Sequence, residues 1–185
     1  MEQTLPPDAA LRSRTIVLVG MMGAGKTSVG KRLAQALDLP FHDADDEIER
    51  AAGCTISEIF ATRGEDEFRD GERRVIARLL DQPPHVLATG GGAFVNAETR
   101  ELVGRKAISV WLKASPEVLA RRVGRKDTRP LLHGKDAKQV LSELLDKRAP
   151  AYGEADVIIE SGEGPHHATV AAIIAALKSR LEGAA

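Results

Sequence analysis

Short apolar runs alternate with stretches of helical period along this chain. Thr15–Val19 is a β-branched run closed by Gly20, the pattern of a strand buried on both faces. Across Lys26–Leu37, the apolar residues Val29, Leu33, Ala36 and Leu37 share one helical face. Residues 39–42 predict a second strand, 86–89 a third that enters Gly90-Gly91-Gly92, 107–112 a fourth and 156–159 a fifth. Helical patterns cover 56–60, 67–80, 96–103, 135–147 and 167–181, and another starts at Ser115-Pro116, serine as cap and proline in the first turn. Strands alternating with helices predict an α/β fold in three layers, a parallel sheet covered on both faces. Such sheets bind ligands beyond the carboxyl ends of their strands, so the chemistry is expected just after Val19, His42, Thr89 and Leu112.

One segment carries a specific signal. Gly20-Met-Met-Gly-Ala-Gly25-Lys26-Thr27 matches G-x-x-x-x-G-K-[ST] at every fixed position, with a strand before it and a helix after it. Backbone N–H groups of such a loop cradle phosphates, and the helix start adds its positive dipole end. Gly23, Ala24, Gly25, Lys26, Thr27 and Ser28 are the candidate contacts to ATP. Lys26 is expected to reach the β- and γ-phosphates and the Thr27 hydroxyl to ligate Mg2+, a cation that prefers oxygen. A phosphotransferase acting on a hydroxyl of a small anionic metabolite is the function this predicts.

Asp43-Ala-Asp45-Asp46-Glu47 follows the second strand. In an extended segment Asp43 and Asp45 would face the same side, one serving magnesium and the other a substrate hydroxyl. Acids also cap helix starts, and that suffices for Asp46 and Glu47. Arg69 and Glu72 are i, i+3 neighbours, so the acid can orient the guanidinium toward a carboxylate; spacing alone favours a solvated surface pair. Arg121, Arg122, Arg125, Lys126 and Arg129 form a basic, glycine-flanked stretch that could close over triphosphate. Gly90, Gly91 and Gly92 would let a ligand approach the backbone, or make a demanding turn.

The bulk numbers narrow the partners. The 185 residues suit one domain, and 43% hydrophobic residues suit one core. A net charge of −1 and an aromatic fraction of 3% argue against nucleic acid and against a membrane surface. The single cysteine, Cys54, allows no internal disulfide and fits a reducing compartment. No apolar run nears the ~18 residues of a membrane span. The expectations are a loose leader over residues 1–13, one domain over 14–185, a cytoplasmic location and a monomer.

Together these residues resemble shikimate kinase. The resemblance rests on Gly20–Thr27, Asp43-Ala-Asp45, Ile59-Phe-Ala-Thr62, Gly64-Glu65, Glu67-Phe-Arg69 with Glu72, Gly90-Gly-Gly92, Arg129-Pro-Leu-Leu132 and Lys147-Arg-Ala-Pro150 with Tyr152. It implies a nucleoside-monophosphate-kinase-like fold with a five-stranded parallel sheet. It also implies ATP-dependent phosphorylation of the shikimate 3-hydroxyl, a step toward chorismate and aromatic amino acids. By motif, Arg69 and Arg148 would grip the carboxylate, and Asp45 would take the hydroxyls as candidate base. Gly90, Gly91 and Gly92 would line that pocket, with Phe60 and Phe68 as its apolar wall. Asp43 would act on magnesium through water, Arg122 would lie against adenine, and Arg129 would sit on the ATP phosphates. Residues 122–136 would form a mobile lid, and helices over about 45–80 would hold the substrate. Gly71 interrupts the Arg69 helix, at ~1 kcal/mol relative to alanine. A related small-molecule kinase, such as a gluconate kinase, and a non-catalytic nucleotide sensor are the alternatives.

Overall fold

The computed structural model describes residues 7–124 and 136–183. Five strands, β1 (Thr15–Val19), β2 (Phe41–Asp43), β3 (Val86–Ala88), β4 (Ala107–Lys113) and β5 (Val157–Glu160), form one sheet in the order β2-β3-β1-β4-β5. Every pairing is parallel; Ile16 stands opposite Val86 on one side of β1 and Ile108 on the other. The central strand is therefore covered by helices on both faces, and Ile16, Val17, Leu18 and Val19 are wholly buried. The chain moves outward from β1 to β2, then returns past β3 to place β4 on the other side of β1. Its crevice thus opens at the carboxyl end of β1.

Eight helices surround the sheet in the described residues: α1 (Pro7–Arg12), α2 (Lys26–Leu37), α3 (Ala44–Ala52), α4 (Ile56–Leu80), α5 (Ala97–Lys106), α6 (Pro116–Val123), α7 (Ala137–Tyr152) and α8 (His166–Gly183). The parallel sheet and most helices follow the apolar pattern, and α2 has the predicted bounds. β2 starts later than expected. Leu39 N–H returns to Ala34 O at 2.9 Å, closing α2 after the left-handed Asp38, so residue 39 belongs to the helix end.

Three further boundaries differ from the sequence expectation. Pro7–Arg12 is helical where a loose leader was expected; Leu11, wholly buried, anchors it against α2 and α8. The patterns at 56–60 and 67–80 fall on two helical segments of α4 that meet in a kink at Gly64 (φ 83°, ψ 173°); the first runs on past residue 60 to the kink and starts with a Thr55/Glu58 capping box. The second runs regularly through Gly71. α7 continues past residue 147 and through Pro150, because Gly153 N–H still reaches Ala149 O at 2.8 Å. Arg148 therefore projects from a helix and not from the segment after one. Of the expected lid, residues 125–135, with Arg129, lie outside the described residues.

Candidate active site

β1 delivers the chain to Gly20, and the loop that follows has no room for a side chain at Gly20 or Gly23. A Cβ on Gly20 would meet Leu112 O at 2.7 Å, and one on Gly23 would meet Val123 Cγ2 at 2.9 Å. Gly25 caps α2 in the left-handed region (φ 94°) and offers no side-chain acceptor; the first turn of α2 has no acid. The N–H groups of that turn and its dipole thus suit an anion. Lys26 Nζ donates to Gly20 O at 2.7 Å and to Met21 O at 2.8 Å, which folds the ammonium back over the loop.

Thr27 Oγ1 donates to Asp43 Oδ2 at 2.7 Å, across from the β2 edge. Asp43 is also the cap of α3, its Oδ1 accepting the Asp45 N–H at 3.0 Å. The backbone turns helical at Ala44, so Asp43 and Asp45 do not alternate along a strand as the sequence suggested. Asp45 reaches the site from the first turn of α3 instead. The Thr27 hydroxyl and Asp43 carboxylate form a pair of hard oxygen donors beside the phosphate loop, which fits Mg2+ completed by phosphate and water oxygens. Glu47 departs from a pure capping role: Arg50 and Arg78 both pair with it, Arg78 at 3.2 Å.

The second half of the site is built around the three glycines after β3. A Cβ on Gly90 would stand 2.9 Å from Glu72 Oε1 and 3.1 Å from Asp45 Oδ1. One on Gly91 would stand 3.1 Å from Arg148 Nη1, and one on Gly92 2.6 Å from Arg69 Nη1. Gly90 thus admits Glu72 and Asp45, Gly91 admits Arg148 and Gly92 admits Arg69, so the glycine wall brings charged side chains from three helices to one place. Arg69 Nη1 donates to Glu72 Oε2 at 2.8 Å, and Glu72 is 3% exposed. The solvated surface pair that spacing favoured is therefore a half-buried one. Burial pulls the Arg69 pKa down, but the hydrogen bonds and charges of Glu72 and Glu65 outweigh it and hold the guanidinium charged. Burial pushes the Glu72 carboxyl up against the pull of Arg69 and Arg148. Its Oε1 is buried without a hydrogen-bond partner.

Tyr152 stands one turn beyond Arg148 on α7 and is wholly buried. Its hydroxyl donates to Gly91 O and lies 3.7 Å from Met21 Sδ, joining the glycine segment to the phosphate loop. Its motif named it without a role; the i, i+4 spacing from Arg148 was the available signal, hidden by ending the helix before Pro150. Ser161 was also passed over. Its hydroxyl donates to Ala24 O at 2.8 Å, and Arg122 reaches Ala24 O at 3.1 Å, Gly23 O at 3.3 Å and the Gly162 carbonyl. Arg122 is therefore placed against the phosphate loop, and burial lowers its pKa. Phe60 and Phe68 face each other with ring centroids 4.7 Å apart.

The shikimate kinase family model matches residues 22–178. A shikimate kinase of Caulobacter vibrioides is 68% identical over 170 residues, covering 92% of this chain and 85% of that protein. The structure of a shikimate kinase from Acinetobacter baumannii in complex with shikimate superposes with a TM-score of 0.88 at 40% identity, covering 94% of this chain and 98% of that one. A gluconokinase from Sinorhizobium meliloti has a TM-score of 0.64 at 22% identity, covering 93% of this chain and 95% of that one, a likeness of fold alone.

Proposed function

The chain belongs to the shikimate kinase family, and from that premise we infer that it transfers the γ-phosphoryl group of ATP to the 3-hydroxyl of shikimate. The observation that carries the reading onto this chain's residues is the convergence of Asp45, Arg69 and Arg148 on Gly90, Gly91 and Gly92. A small hydroxylated carboxylate needs two guanidinium groups and one carboxylate; the glycine wall admits Arg69, Arg148 and Asp45, with Glu72 beside them already bonded to Arg69.

Arg69, held in one orientation by Glu72, and Arg148, beside Gly91, bind the shikimate carboxylate. Asp45 orients the 3-hydroxyl and accepts its proton as the new P–O bond forms. The phosphate loop holds the triphosphate through its backbone N–H groups. Lys26 exchanges the carbonyls of Gly20 and Met21 for phosphate oxygens, and its charge offsets the negative charge of the transferring group. Thr27, and Asp43 through water, would hold Mg2+, which would supply positive charge beside the transferring phosphoryl group. Arg122 supports the nucleotide side of the loop, and Arg129 completes the phosphate contacts. Every group this reading requires lies in one chain, which supports a monomer as the working unit. An ATP-dependent step with a single cysteine supports the cytoplasm. No helix of the described residues is long and apolar enough to cross a membrane.

Phosphorus NMR of the product tests the regiochemistry. The expected result is one phosphomonoester coupled to the proton on C3. A resonance coupled to C4 or C5, or inorganic phosphate alone, would overturn the assignment of Asp45.

A further inference from the structure

A second concavity lies between α3 and α4, with a volume of about 420 Å3. That is within the range of small-molecule sites. None of Asp45, Arg69, Gly90, Gly91, Gly92 or Arg148 lines it, so it is separate from the site described above. Its floor is apolar: Ile48 and Ala52 of α3, and Ile59, Phe68 and Val75 of α4. Its rim carries Arg63, Arg74 and Arg78, with Glu67 as the opposing charge.

The rim has positive charge to spare. Arg63 is paired to Glu67 at 3.6 Å, and Arg78 to Glu47 at 3.2 Å. Among the described residues, Arg74 bonds through its Nε alone, to the Asp70 carbonyl at 3.3 Å, which leaves both terminal nitrogens to a ligand. Gly71 is the second observation. It is helical, it lines the groove, and a Cβ there would meet nothing within 4 Å. Neither backbone conformation nor close packing requires glycine at 71, although glycine in a helix interior is unfavourable by ~1 kcal/mol relative to alanine. What its missing side chain provides is open floor beside Phe68 and Arg74. The groove also crosses the bend at Gly64, with Ile59 and Arg63 before it and Glu67 to Arg78 after it.

We propose that this groove is a binding site for an apolar organic anion, an aryl or branched alkyl acid whose body lies on Phe68, Ile59 and Val75 and whose acid group is taken by Arg74. The assignment does not depend on the transfer reaction.

The test titrates the full chain with 8-anilinonaphthalene-1-sulfonate, an aromatic anion, while ADP, magnesium and shikimate occupy the catalytic site. The expected result is one saturable site, competed by 4-phenylbutyrate. Gly71→Phe, which fills the floor, and Arg74→Ser, which removes the acid contact, should each weaken it about tenfold or more. Both positions are outside the catalytic machinery, so wild-type turnover certifies the fold of each variant. Should Gly71→Phe not fold, Arg74→Ser decides alone. No saturable binding, more than one equivalent bound, or equal affinity in the folded variants would overturn the proposal.

Discussion

Gly92 has ordinary dihedrals (φ −94°, ψ −12°), so alanine is free to occupy it as far as the backbone is concerned. What opposes alanine is the Arg69 guanidinium, whose Nη1, Cζ and Nη2 would stand 2.6 to 2.7 Å from the new methyl group. The end of a long side chain moves cheaply, so Gly92→Ala should leave Tm near the wild-type value while displacing the guanidinium from its substrate. The expected outcome is a rise of about tenfold in the KM for shikimate with the KM for ATP unchanged, measured by initial rates. Arg69→Lys makes the complementary cut. It keeps the charge but loses the fork, and a charge-assisted hydrogen bond is worth ~1.5–3 kcal/mol, so shikimate KM should rise about ten- to a hundredfold. An unchanged KM in both variants would remove Arg69 from the carboxylate. Phe68 touches both places at this scale: its ring centroid lies 5.1 Å from Arg69 Cζ, and the residue also lines the groove between α3 and α4.

At the scale of elements, α2 is the clearest case of a helix built for a ligand. Its cap is a glycine, its first turn has no acid, and Lys26 lies folded over the loop. Lys26→Ala should lower kcat about 10²- to 10³-fold, since one preorganised donor to the developing charge is lost. Stopped-flow or steady-state rates check this, and near-normal turnover would contradict the role. The phosphate loop and α2 were legible in the sequence because motif, strand and helical period agree there. α3 and α4 were less so. Asp43 reads equally as strand end and helix cap, and only the capping hydrogen bond to Asp45 N–H decides it. Gly64 reads as a break between two helical segments, and its positive φ does kink the chain there; what the sequence hides is how close to that glycine the helical turns resume. Pro150 reads as a stop, but its missing N–H costs one bond in a turn that Gly153 closes. The convergence of Arg69, Arg148 and Asp45 depends on three helices meeting three glycines, and such long-range packing has no local signal.

Across the whole molecule, the sheet carries a buried titratable group far from the chemistry. His85 is 1% exposed, its Nδ1 faces Pro83 O at 2.9 Å, and its Nε2 is buried without a partner. Burial lowers its pKa below 6.5, with the neighbouring His42 adding to the shift. The folded state thus binds this proton less readily than the unfolded chain. Stability is fully present above about pH 6.5 and is lost as pH falls through the folded pKa. Urea midpoints at pH 7.5 and 5.5 should show that loss, and His85→Leu should reduce it. Magnesium removal acts at the same whole-molecule level, through substrate rather than fold. Excess EDTA should abolish turnover and leave the urea midpoint unchanged, because the described metal donors, Thr27 and Asp43, already bond to each other.

ADP release with magnesium and ATP, followed by a coupled assay across shikimate, quinate, gluconate and nucleoside monophosphates, identifies the acceptor. Turnover is expected to depend on shikimate and to exceed that on every other acceptor. Equal or faster turnover on gluconate or a nucleoside monophosphate, or ADP release indifferent to shikimate, would contradict the shikimate assignment.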